Sequence, residues 1–152
     1  MSERRYAAAP GIVRRRTPEA VDTATTFRVG VCERFEGATD AIRLPSDAVQ
    51  VLTSGTPGIS PTGAIPASFE AEARQAWRNM RRVLASAGAG LSHVVSVRTW
   101  LTHPDDIGTY TAVQRQFIDH EPASFLAVVH QLIRPEMRVQ IEVIAAVPPA
   151  HG

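Results

Sequence analysis

The sequence predicts an α+β fold: one mixed six-stranded sheet with two helices on a single face. Three observations carry that prediction. Short β-branched and aromatic runs bounded by turn formers mark strands. Two longer segments keep their apolar residues at helical spacing. The resulting order is strands, helix, strand, helix, strand, strand, and 152 residues leave room for one domain with its own core.

The elements follow in chain order. Residues 1 to about 22 have little periodicity and read as a loosely ordered arm. TTFRVGVC (25–32) alternates like a strand. DAIRLPSDAVQVLTSG (40–55) reads as two strands around the Pro45-Ser46-Asp47 turn, and GTPGISPTGAIP (55–66) as a loop. Ser68 is placed to cap a helix, with Glu70 and Glu72 favouring its dipole. Its stripe is Phe69, Ala73, Ala76, Trp77, Met80, Val83, Leu84 and Ala87, and Gly88 stops it. HVVSVRTWL (93–101) is a strand. A second helix begins near Pro104-Asp105-Asp106 and buries Ile107, Tyr110, Val113, Phe117 and Ile118. The closing EPASFLAVVHQLIRPEMRVQIEVIAA (121–146) reads as a hairpin with its loop at 133–137.

Composition narrows the function classes. A net charge of +1 supplies no field for nucleic acid or an anionic membrane, and Arg14-Arg15-Arg16 reads as a solvated arm. No stretch matches a signal peptide or a membrane helix, and the single Cys32 suits a reducing interior, so the expected setting is the cytoplasm. The five histidines lack metal-ligand spacing, TSGTPG is neither a P-loop nor a dinucleotide fingerprint, and Ser54 lacks a nucleophile elbow. Neither a metal nor a cofactor is expected.

Candidate chemistry concentrates in the last two strands. Alternation puts Gln140, Glu142 and Ile144 on one face, and Ser124, Leu126, Val128 and His130 on one face of the strand before. Pairing the two as a hairpin brings His130, Glu142 and Ser124 to the same side. A carboxylate within VQIEVIAAV is costly to bury alone, which suits either a proton-transfer group or an ion pair with Arg43 or Arg98. Each of those arginines lies in an apolar strand and could instead clamp a substrate carboxylate. A sheet with helices on one face leaves the other uncovered, which points to self-association.

The segments VLTSGTPGISPTGAIP, QAWRNMRRVLASAGAGLSHVVSVRTWLTHPDDIGTYTAVQRQF and EPASFLAVVHQLIRPEMRVQIEVIAAV stand in order over residues 39–147. In that order they resemble the RidA/YjgF (Rid) superfamily. The resemblance implies a chorismate-mutase-like protomer in 39–152 preceded by a partly ordered N-terminal extension over 1–38, a homotrimer with its sheets in a central barrel, and ligand clefts between subunits. In the deaminase branch an arginine directly after Pro-Ala binds the substrate carboxylate. A glutamate matching Glu142 helps place water for hydrolysis of enamines and imines without a cofactor. This chain departs from that pattern. Ser124 follows Pro122-Ala123, Ala41 falls at the position of a cleft tyrosine, Thr56 replaces a glutamine after TSG, and Pro135-Glu136-Met137 lengthens the turn. The departures resemble a divergent subgroup that keeps Arg43.

The expected activity is a cofactor-free hydrolysis, deamination or related acid–base step on a small imine, enamine or carbonyl compound, other than the standard 2-aminoacrylate reaction. Glu142 is the expected catalytic group. Arg43, Ser54, Gly55, Thr56, Ser124 and His130 are the expected substrate contacts. A non-catalytic metabolite-binding trimer, or a structural partner in a larger complex, are the alternatives. The expected partners are a small molecule and two further copies of the chain, with neither nucleic acid nor membrane.

Overall fold

The computed structural model describes residues 24–30 and 39–149. The arm to residue 22, its arginine cluster and Cys32 lie outside the described residues. The strands are β1 (Thr25–Phe27), β2 (Ala41–Arg43), β3 (Val49–Leu52), β4 (Thr56–Pro57), β5 (Val94–Leu101), β6 (Ala123–Val128) and β7 (Val139–Val147). The helices are α1 (Phe69–Ser86) and α2 (Ile107–Phe117), the latter entered through a 3-10 turn at Pro104–Asp106.

Ser68 caps α1 as its sequence context predicts, its Oγ accepting from the Ala71 N–H at 3.2 Å. Gly88 closes the helix at φ +74°, a conformation that costs glycine nothing and other residues a steric penalty. The stripe of α1 is buried from Phe69 to Leu84, but Val83 is exposed and Glu72 is buried in its place. On α2, Tyr110 and Val113 are buried, whereas Ile107 stays exposed. Both helices pack on one face of the sheet, where Trp77, Met80, Leu84, Tyr110 and Val113 meet Val97, Leu101, Val139, Ile141 and Val143. Trp77 and Phe117 stack at 6.1 Å where α1 and α2 meet.

The main sheet is mixed and runs β3-β7-β5-β6, with β4 also paired to β7. It has five strands rather than the predicted six: β1 and β2 form a separate antiparallel ribbon, and β4 adds a strand within the 55–66 stretch that reads as a loop. Ile42 and Leu44 of that segment pack with Ala24 onto Val95, Ala146 and Ile144, covering one end of the sheet's helix-free face. A bulge between Val94 and Ser96 lets Val94 face the helices while Val95 joins this second cluster.

The closing hairpin is not formed. β6 pairs in parallel with β5, and β5 lies between β6 and β7. Parallel neighbours need a crossover, and α2 supplies it from β5 to β6. The order strand, helix, strand at 93–128 was the available signal, and the Pro135 turn between the last two strands, which reads as a hairpin loop, masked it.

Candidate functional site

β7 carries the acid, and contacts at its start and along its length set its position. At its start, Glu72 of α1 accepts from the Arg138 N–H at 2.8 Å and the Val139 N–H at 3.3 Å. Arg138 also reaches Asp106 with Nε at 3.0 Å and Nη2 at 2.7 Å, a two-point pair. Further along, the Thr53 N–H donates to the Val143 carbonyl at 3.1 Å, and the Val143 N–H donates to Thr53 Oγ1 at 3.0 Å. Thr56 then pairs with Ile141. Ser54 and Gly55 therefore span the one position, Glu142, between Val143 and Ile141. Two residues opposite one make a bulge, a device that turns backbone and side chains toward a neighbouring site.

The open face at this point has a definite composition. Arg98 sits directly across from Glu142 on β5, and its Nη1 lies 3.4 Å from Glu142 Oε1. The two side chains are 58% and 31% exposed, so solvent reaches the pair. The Arg98 guanidinium also lies 5.9 Å from the ring centroid of Phe125, its partner on β6. Two pairs further along, on the same face, Trp100 stands opposite Gln140. Trp100 and Phe125 approach at 6.2 Å, tilted by 60°. The connection after β6 folds beside them. A groove of about 370 Å³ results, lined by Trp100, Val129, Gln131, Leu132, Ile133, Gln140 and Glu142. Gly55 lets the Gln140 side chain pack against this edge, since a Cβ there would overlap it.

The predicted site residues divide into two groups. Glu142, Ser54 and Gly55 come together. Within one chain Ser124 does not join them: its pairing opposite Val97 puts it on the helix-side face, where its Oγ donates to the Pro122 carbonyl at 3.3 Å. Thr56 is buried on that same face with Ile141, its hydroxyl donating to the Ser54 carbonyl at 3.3 Å. Arg43 alternates with the inward-packed Ile42, and its guanidinium lies 5.5 Å above the Phe27 ring within the ribbon. The arginine that meets Glu142 is thus Arg98. His130 is exposed just beyond β6, between the groove residues Val129 and Gln131 but outside the lining itself. Its predicted position opposite Gln140 is occupied by Trp100. Trp100 was the residue not foreseen, although alternation from Arg98 along β5 would have placed it on this face.

Among the described residues no group of His, Cys, Asp and Glu could hold a metal ion, and no helix is long and apolar enough to cross a membrane.

A two-helix α+β domain with this mixed sheet and an acid in its last strand matches a family described as endoribonuclease L-PSP over residues 39–147, and the chain belongs to that family, the RidA/YjgF superfamily. Among its relatives is the mouse 2-iminobutanoate/2-iminopropanoate deaminase, 33% identical over 111 residues, which cover 68% of this chain and 82% of the mouse protein. The crystal structure of RidA from Psychrobacter superposes with a TM-score of 0.62 at 28% identity, covering 73% of this chain and 94% of that one. Escherichia coli TdcF, solved with bound serine, gives a TM-score of 0.62 at 28% identity, covering 72% and 93%.

Proposed function

We propose that the open face around Glu142 is a cofactor-free hydrolytic site acting on a small imine, enamine or carbonyl compound. The carrying observation is the acid's setting: Glu142 beside Arg98, flanked by the Ser54-Gly55 bulge and opening on a groove. The relatives named as imine deaminases support the reaction type.

In this reading Glu142 accepts a proton from water as the water oxygen bonds to the imine carbon. The C=N π electrons move to nitrogen, which takes up a proton, and a carbinolamine forms. Glu142 then passes its proton to the amine nitrogen as the C–N bond breaks, and the carbinolamine hydroxyl releases its proton to solvent, replacing the one that nitrogen drew from it, which leaves a carbonyl compound and ammonia. Arg98 holds the carboxylate in place, and the Ser54 hydroxyl and nearby amides orient the substrate.

The specificity differs from that of 2-aminoacrylate deaminases because Ser124 cannot supply a bidentate cation. Ser124 and Glu142 lie on opposite faces, two strands apart. They could serve one site only across two copies of the chain, as in a homotrimer with clefts between subunits.

The test is hydrolysis of imines generated in situ by an amino-acid oxidase, with ketoacid release followed. Glu142→Gln is expected to lower turnover by about 10²-fold or more with the assembly intact. Unchanged turnover would remove the role given to Glu142. Ser124→Arg is expected to raise activity toward carboxylate-bearing imines. A small ligand that raises the melting temperature yet is recovered unchanged, with no turnover of any imine, would favour the metabolite-binding alternative.

A further inference from the structure

The groove's own chemistry narrows the substrate class, an inference that rests on the open face being the ligand site. Its lining contains one formal charge, Glu142, and that carboxylate already faces Arg98 at 3.4 Å. Arg98 is in turn held over the Phe125 ring. The rest of the lining is the Trp100 indole, the aliphatic Val129, Leu132 and Ile133, and the amides of Gln131 and Gln140. A substrate carboxylate set here would meet a like charge in Glu142, and the cation beside it is already shared with that acid. A flat apolar group, by contrast, has a half-buried indole to lie against and aliphatic walls to displace water from. The two amides each offer donors and an acceptor to a C=N, C=O or N–H group.

We infer that this site takes an imine or carbonyl compound carrying a flat apolar substituent and no carboxylate, with the substituent on Trp100 and the reacting group between Gln140 and Glu142. Gly55 contributes directly, because its missing side chain leaves room for Gln140 beside the groove.

Two measurements test this. Isothermal titration calorimetry would compare benzamide, a neutral flat amide, with L-serine and pyruvate. Benzamide is expected to bind at least tenfold more tightly than either carboxylate. Trp100→Ala is expected to weaken benzamide at least tenfold, while Trp100→Phe, which keeps a flat ring, stays within threefold. Tighter binding of serine or pyruvate overturns the inference, as does benzamide binding that is absent or indifferent to Trp100→Ala. Should the alanine variant unfold, the phenylalanine variant decides against Trp100→Leu, expected to be the weaker binder by at least threefold; equal binding overturns the inference.

The second measurement is turnover of the imine of benzaldehyde, made from benzylamine by an amine oxidase, against that of an imino acid. Faster hydrolysis of the benzaldehyde imine supports the inference, and faster hydrolysis of the imino acid overturns it while leaving the hydrolase reading standing. If the Glu142→Gln variant is as active as the parent, the role given to Glu142 fails; if neither imine is turned over, the hydrolase reading fails, and in both cases the calorimetry still decides the ligand class.

Discussion

Two glycines on either side of β4 show how differently the same residue can serve a site. At Gly55 a Cβ would overlap the terminal amide of Gln140, a flexible group that can swing aside. At Gly58 it would run into the backbone carbonyl of Glu72 on α1, which cannot. Gly55→Ala is therefore expected to change stability by less than about 1 kcal/mol but to weaken ligand binding, because Gln140 is displaced. Gly58→Ala is expected to cost about 2 kcal/mol or more, since helix and loop must separate. Denaturant melts and calorimetry on the two variants check the contrast, and equal stability losses would count against it.

Glu72 supplies the second residue-scale prediction. It is only 2% exposed, and burial pushes its carboxyl above the ordinary 4.5, outweighing the Arg138 and Val139 amides and the Arg138 charge. The folded chain thus holds this proton more firmly than the unfolded chain. The resulting stability is fully present below pH 4.5 and is lost as pH rises through the folded value. Glu72→Gln keeps an acceptor for both amides without the charge. Thermal melts from about pH 4 to about pH 8 should show a flatter profile for the variant, which matches or exceeds the parent near neutrality. Glu72→Ala should instead lose about 1–3 kcal/mol, because two backbone donors are left without their acceptor. From sequence, Glu72 read only as a first-turn acid for the dipole. Its burial depends on Gly58 and β7, neither of which is local to it.

At the scale of elements, local chemistry was legible and partnership was not. The cap of α1 and the periods of both helices are written in adjacent residues, and they emerged where expected except at Val83 and Ile107. Ser68→Ala should accordingly cost about 1 kcal/mol, read as a shift of the denaturation midpoint. Strand alternation likewise placed Glu142, Gln140 and Ile144 on one face. Alternation says nothing about which strand lies alongside, and nearness in sequence suggested β6 for β7. β5 takes the place between them, with Val97, Thr99 and Leu101 buried on the helix side and Arg98 and Trp100 on the other. Because β6 runs parallel beside β5, its faces are set by that register. Ser124 then pairs with Val97 and Phe125 with Arg98. That displacement separated Ser124 from Glu142 and brought an unforeseen aromatic pair to the site.

For the whole molecule, the helix-free face is the largely uncovered surface of the sheet, and its apolar residues argue for burial. Leu52, paired with Ile144, is 69% exposed, and Phe125 is 49% exposed. The ribbon covers only the Ile144 end, through Ile42 and Leu44. Burying the remainder against copies of the same face would remove it from water at about 25 cal/mol per Å² of apolar area. It would also enclose the groove beside Glu142, strengthening every polar contact there. A closed ring of identical copies satisfies both needs without leaving an open end. For the homotrimer that the family resemblance implies, sedimentation equilibrium is expected to give three times the 16.5 kDa chain mass. Leu52→Arg, which places a second arginine on this face, should shift the population toward monomer and lower turnover together, with α1 and α2 still folded by circular dichroism. A monomeric parent, or a monomeric variant that keeps full activity, would show that the face does not need copies of itself to work.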